Sequence, residues 1–173
     1  MVDCENKEIA YKEQEEKALQ ILSRIVESIN NEAEVRIISS HYDYTTFEIS
    51  NTDPAIIIGK HGHTLDAIQY LVNLIANKGS KVDKRRIYTV DIDGYRKRRE
   101  ESLQKYAREK AEIAKKKGIS IALYFMNSIE RKFVHMALKE DNSVFTYSEG
   151  KEPYRRIIIK PIPAKEEEEL EYQ

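Results

Sequence analysis

Two glycines three apart, Gly59 and Gly62, bracket Lys60 and His61 in the run Ile56-Ile57-Ile58-Gly59-Lys60-His61-Gly62-His63-Thr64-Leu65. Glycines at that spacing let main chain approach a ligand without side-chain interference. A helix starting just beyond them would aim its amide N–H groups and its positive dipole end at an anion. Lys60 adds a compact charge suited to phosphate. Ile57 and Ile58 are expected beside it as an apolar floor for unstacked bases. His63 is placed to cap the helix or to touch phosphate. A bare Gly-x-x-Gly is more often a tight turn between helices, but three isoleucines before it and Thr64, Leu65 and Ile68 in phase after it make this one more specific. The nucleotide-triphosphatase loop and the dinucleotide-binding loop need other glycine spacings, and neither occurs in this segment.

A second constellation lies in Asn127-Ser128-Ile129-Glu130-Arg131-Lys132-Phe133-Val134-His135. Asn127 and Glu130 have capping-box spacing, so a helix should begin there. At about 100° per residue, Ile129, Phe133 and Ala137 share one line, which predicts the packing face. Arg131 and His135 then fall on the opposite, exposed face, with Lys132 next to them. An arginine one turn before a histidine can hold a phosphate from two points, and the imidazole can stack on a base. The alternative is a solvated pair. Further cations, Arg96, Arg98, Arg99, Arg155 and Arg156, could attract a polyanion.

His61 and His63 have no nearby cysteine or third histidine to complete a metal site, and Cys4 has no histidine partner in its polar segment. No seryl triad is visible. The expectation is a binding protein without cofactor or metal, and not an enzyme.

The elements that must carry these residues are legible as alternating periods. Residues 8–30 read as an amphipathic helix on Ala18, Leu19, Leu22, Ile25, Val26 and Ile29. Strands follow at about 33–39 and 44–50, then a short turn at 55–58 and a helix over 64–77 with Leu65, Ile68, Leu71, Val72 and Ile75 as its buried stripe. A third strand covers 86–92. From 94 to 117, ten basic residues face four acidic ones around a thin apolar stripe of Leu103, Tyr106, Ala107, Ala111 and Ala114. That is a basic helix, and Gly118 ends it. A strand over 119–124, the helix over 128–139 and a hairpin pairing 144–147 with 154–160 complete the pattern. The fold class is α+β: two small α/β-sandwich modules, each a three-stranded sheet on helices, joined by the basic helix. The predicted divisions are an acidic leader 1–9, a first module 10–93, a second module 94–161 and an acidic, disordered tail 162–173.

Charge supports the same division. The whole chain of 173 residues carries a net −1, but residues 1–17 hold −3 and 161–173 hold −4, leaving +6 for the body between them. Binding responds to that local field. With no apolar run long enough to span a bilayer, no apolar leader and one cysteine, a reducing cytoplasmic setting is expected.

The run Ile57-Ile58-Gly59-Lys60-His61-Gly62-His63-Thr64-Leu65-Asp66-Ala67-Ile68 resembles the core of the KH family of RNA-binding domains, in its bacterial type II arrangement. The resemblance covers about residues 10–93 and implies that Gly59 to Gly62 clamp the backbone of about four nucleotides. Residues 94–161 resemble the R-three-H domain, named for its Arg-x-x-x-His pair, which binds single-stranded nucleic acid; Tyr154-Arg155-Arg156-Ile157-Ile158-Ile159-Lys160-Pro161 is similar to its closing strand. The tandem resembles the Jag (SpoIIIJ-associated) proteins of bacteria. This implies cytoplasmic RNA binding linked to cell elongation, division or sporulation, a small single-domain KH partner, and the neighbourhood of a membrane insertase. Longer family members begin with a separate Jag domain, where this sequence has its acidic leader. The family's frequent Pro-Met before the Arg-x-x-x-His helix is Phe125-Met126 here. Two other readings remain open: an adaptor that dimerises through the KH surface, and a binder of single-stranded DNA.

Overall fold

The computed structural model describes residues 2–80 and 85–162, with side chains from Tyr11 onward. Nearly all of the expected acidic tail lies outside the described residues. The chain divides into two compact units, Met1–Arg96 and Lys97–Gln173.

The first unit runs α1 (Val2–Ile29), β1 (Glu34–Ser40), β2 (Tyr44–Ser50), α2 (Pro54–Ile58), a 3-10 turn (Lys60–Gly62), α3 (His63–Ala76) and β3 (Ile87–Ile92). The sheet order is β1-β2-β3. The β1–β2 pair is antiparallel, and the α2–turn–α3 crossover returns the chain to make β3 parallel to β2. Phe47 and Ile49 of β2 and Tyr88, Val90 and Ile92 of β3 alternate onto the covered face. Ala18, Leu22 and Val26, one turn apart on α1, and Leu65, Ile68, Val72 and Ala76 on α3 close over them. Desolvating these apolar side chains is the main force holding the unit together.

Two expectations change here. Helix α1 begins at Val2, so residues 2–9 continue the helix rather than form a separate leader. On α3, Leu71 and Ile75 are exposed, and Ala76 takes the inward position instead. The reason is a polar row on the same helix. Gln69, Asn73 and Asn77, four residues apart, face the free edge of β3. Gln69 Oε1 accepts from the Val90 N–H at 3.0 Å, and Asn73 both accepts from the Tyr88 N–H and donates to its carbonyl. Asn77 makes the same pair of bonds to Arg86. Meeting these backbone groups turns the rest of α3 so that Leu71 and Ile75 face outward.

The second unit contains nearly all of α4 (Tyr95–Lys117), then β4 (Ile121–Phe125), α5 (Ser128–Ala137), β5 (Val144–Glu149) and β6 (Arg156–Pro161). Its sheet is antiparallel in the order β4-β6-β5. Leu103, Ala107, Ala111 and Ala114 of α4 pack with Val134 of α5 and Leu138, its C-cap, on Leu123, Val144, Ile157 and Ile159. Both units are thus three-stranded sheets packed on helices, as the residue pattern predicts.

Helix α5 is rotated from its expected orientation. Ile129 is exposed, and the inward line is Glu130, Val134 and Leu138, with Arg131 also buried. The capping box forms as expected, with the Glu130 N–H donating to Asn127 Oδ1 at 2.9 Å and the Asn127 N–H to Glu130 Oε2 at 3.3 Å. The rotation is tolerable because each buried charge is paired. Arg99 donates twice to Glu130 Oε1, at 2.9 and 2.7 Å, and Arg131 is held by two partners of its own.

Candidate nucleic-acid interface

Asp53 starts α2 by accepting the Ala55 N–H at 2.9 Å, with Pro54 at the first helical position. The helix stops at Gly59, whose φ of 67° and ψ of −171° are open almost only to glycine. His61 is also left-handed, at φ 56°, and so is Gly62, at φ 83°. This sequence of turns throws Lys60 and His61 outward, and both are exposed at the tip directly before α3.

The two glycines serve the fold more directly than expected. A Cβ on Gly59 would lie 2.8 Å from the Thr64 Cβ and collide with its hydroxyl; one on Gly62 would meet the Tyr95 ring at 2.9 Å. Neither space is left for a ligand. The loop amides are also largely used within the chain. Gly59 N–H donates to the Ala55 carbonyl at 3.0 Å, Gly62 N–H reaches the Gly59 carbonyl at 3.4 Å, and His63 N–H donates to the Lys60 carbonyl. An anion at this bend therefore meets the Lys60 and His61 side chains first. Gly62, not His63, is the N-cap of α3 and supplies no side-chain bond. His63 is exposed, its ring 6.4 Å from that of His61.

The apolar floor also differs from expectation. Ile57 is fully buried in the core and cannot touch a base; Ile58 is half-buried, and the exposed member of the run is Ile56. A five-residue helix shows its faces too briefly for periodicity to choose among three isoleucines.

Arg96 is half-buried and occupied within the first unit. Its guanidinium donates to the Val90 carbonyl at 2.9 Å, to Gln69 Oε1 at 3.0 Å and to Asp66 Oδ1 at 3.0 Å. This holds the start of α4 to β3 and α3. It also offsets Asp66, an acid in the first turn of α3 that would otherwise repel an anion there. Sequence reasoning uses Thr64 only for its phase with the helix and passes over Tyr95, whose one signal is its nearness to Gly94.

In the second unit, the Arg-x-x-x-His pair is built into the structure. Arg131 is 7% exposed; its Nη1 donates to the Met126 carbonyl at 2.6 Å and its Nη2 lies 2.7 Å from Glu152 Oε1. His135 has its Nδ1 2.8 Å from Thr146 Oγ1 and its Nε2 3.4 Å from Ser148 Oγ. Burial, and after it the Arg131 guanidinium, push the imidazole below its ordinary pKa of 6.5. At neutral pH the ring is uncharged and engages hydroxyls of β5. The expected open, two-point phosphate clamp is not the arrangement found. Of the other basic residues expected at the site, Arg98, Lys132 and Arg155 are exposed, Arg99 is half-buried on Glu130, and Arg156 donates to Glu149 at 3.0 Å. Among the described residues, no group of three or more His, Cys, Asp or Glu is placed to hold a metal.

Comparison with known proteins bears on both units. Residues 15–90 match the KH domain of the KhpA/KhpB type, and residues 101–161 match the R-three-H domain. The molecule is a tandem protein of a KH domain followed by an R-three-H domain. It belongs to the Jag family, whose curated relatives include proteins named RNA-binding protein KhpB. The chain is 38% identical to the one from Clostridium symbiosum over 149 residues, 84% of this chain and 65% of that protein. It is 33% identical to the Bacillus subtilis protein over 140 residues, covering 80% of this chain and 66% of the relative. It is 34% identical to the Lactiplantibacillus plantarum protein over 118 residues, 67% of this chain but 35% of that protein. The chain thus spans about a third to two thirds of the length of these relatives.

Proposed function

We propose that this chain binds single-stranded RNA, with the Gly59–Gly62 loop as a principal contact. The observation that carries this reading is the outward pair Lys60 and His61, fixed by left-handed backbone at the positive end of the 14-residue helix α3. A charge held rigidly there attracts phosphate without the entropy cost of ordering a flexible lysine loop. The relatives' RNA-binding names support the same class of ligand. Lys60, His61, Arg98, Lys132 and Arg155 supply attraction that does not depend on sequence, and Ile56 and Ile58 offer apolar contact to a base. The role is binding rather than catalysis, in the cytoplasm, as a post-transcriptional regulator in cell elongation, division or sporulation. No helix among the described residues is long and apolar enough to cross a membrane.

The test is Lys60→Asp with His61→Asp. Affinity for a single-stranded oligoribonucleotide should fall tenfold or more while the melting curve is preserved; unchanged affinity at moderate salt rejects the loop. Added salt should weaken the intact protein's binding steeply. A matched DNA oligomer, bound equally well, would turn the reading toward DNA.

One observation favours a second role. Tyr70, Leu71, Leu74 and Ile75 form an exposed apolar stripe on α3, of the kind that marks protein contact. It suits a second KH surface, from another copy or from a small KH partner. Leu74→Asp should abolish such association in size-exclusion chromatography and leave RNA affinity intact.

A further inference from the structure

Both helices of the second unit pack on one face of its sheet, through Ile157, Ile159, Leu123 and Val144. The residues between these point the other way, because side chains alternate along a strand and directly paired residues share a face. That opposite face is made of Phe145, Tyr147 and Glu149 on β5, Lys160, Ile158 and Arg156 on β6, and Ala122 and Phe125 on β4. Among the described residues, the helices of the unit pack on the other face and leave this one uncovered. Phe145 is 57% exposed and lies nearly parallel to Tyr147, with ring centroids 6.0 Å apart and planes 27° apart. On the far strand Phe125 meets Tyr154 edge-on at 5.4 Å, and both rings are exposed. Ile158, opposite Tyr147 in the ladder, is 6% exposed.

Leaving several aromatic rings in water is costly unless something covers them in use. The cations decide what. Lys160 pairs directly with Phe145 across the ladder, and Arg156 lies opposite both Phe125 and Glu149. Protein-docking cores are depleted of lysine, whereas aromatic rings interleaved with cations are how single strands are held, each ring taking a base and each cation a phosphate. We propose that this open sheet face is a second single-stranded nucleic-acid site, on which Phe145 and Tyr147 stack bases while Lys160 meets the backbone; Arg156, held by Glu149, borders the rings. It deepens the RNA-binding reading but uses none of the residues of the Gly59–Gly62 loop.

The experiment uses the full chain and a short fluorescein-labelled oligouridylate, with a thiouridine version for photocrosslinking. Phe145→Ala with Tyr147→Ala should lower affinity about tenfold or more, since stacking on a ring is worth about 1–3 kcal/mol per base. Phe145→Tyr should bind normally and Phe145→Leu poorly, separating stacking from mere apolar bulk. Crosslinks in the intact protein should map to β5 and should persist in the Lys60→Asp, His61→Asp variant. Their persistence with unaltered overall affinity would reject the loop alone. Absence of β5 crosslinks, full affinity in the double alanine variant, or full affinity with Phe145→Leu would overturn the sheet-face site. A protein partner lost on Phe145→Ala, with no RNA crosslinked, would overturn it in favour of protein docking.

Discussion

Arg131 Nη2 lies 2.7 Å from Glu152 Oε1, so the arginine that names the Arg-x-x-x-His pattern anchors the loop between β5 and β6. Its other nitrogen holds the Met126 carbonyl at the entry to α5. Arg131→Ala should therefore cost about 1–3 kcal/mol in chemical denaturation, by leaving a buried carbonyl without its donor. Arg131→Lys should recover little of this, because an ammonium cannot span both partners as the planar fork does. A denaturation midpoint equal to that of the intact protein for the alanine variant would refute the anchoring role. Loss of RNA binding by this variant is interpretable only beside that measurement.

His135 gives the fold a dependence on acidity. Its folded-state pKa is lowered, so the unfolded chain binds the proton more readily. The contribution of the neutral, half-buried ring is complete above its ordinary pKa of 6.5 and is lost as pH falls from there through the lower folded value. His135→Gln should flatten the decline in melting temperature over that interval. An identical slope in both proteins would show that other groups set it.

Gly59 should not accept even one carbon. Gly59→Ala must place a Cβ against Thr64 in a backbone conformation that L-residues avoid, a loss of about 1–3 kcal/mol from strain alone. A thermal melt matching the unaltered protein would mean that the turn relaxes.

Asn73 predicts a different failure. Asn73→Ala removes both partners of the Tyr88 backbone at the margin of the sheet. The expected result is a loss of about 2 kcal/mol and concentration-dependent self-association in sedimentation, because an unmet strand edge invites another strand. A monomeric, fully stable variant would remove the edge-protecting role.

The sequence and the fold agree best where burial and periodicity carry the same information. Strand β2 alternates Thr45, Phe47 and Ile49 inward as its residue types predict, and the Asn127–Glu130 box starts α5. Agreement fails where polar side chains are needed inside. Glu130 and Arg131 read as surface residues because their partners, Arg99 and Glu152, lie 31 and 21 positions away in sequence, beyond what helical spacing can reveal. The row Gln69, Asn73 and Asn77 reads as a solvated face for the same reason. Of the candidate site, Lys60 and His61 are readable because glycines punctuate them. The outward rings of β5 do not stand out, since a hairpin strand with one apolar alternation does not declare which side its helices will take.

The contact between Gly62 and Tyr95 carries a consequence for descent. The phenol ring occupies the space that any larger residue at position 62 would need, so the two sites should drift together. Lineages that place alanine or serine there should carry a smaller side chain at the equivalent of 95, and those that keep the aromatic should keep the glycine.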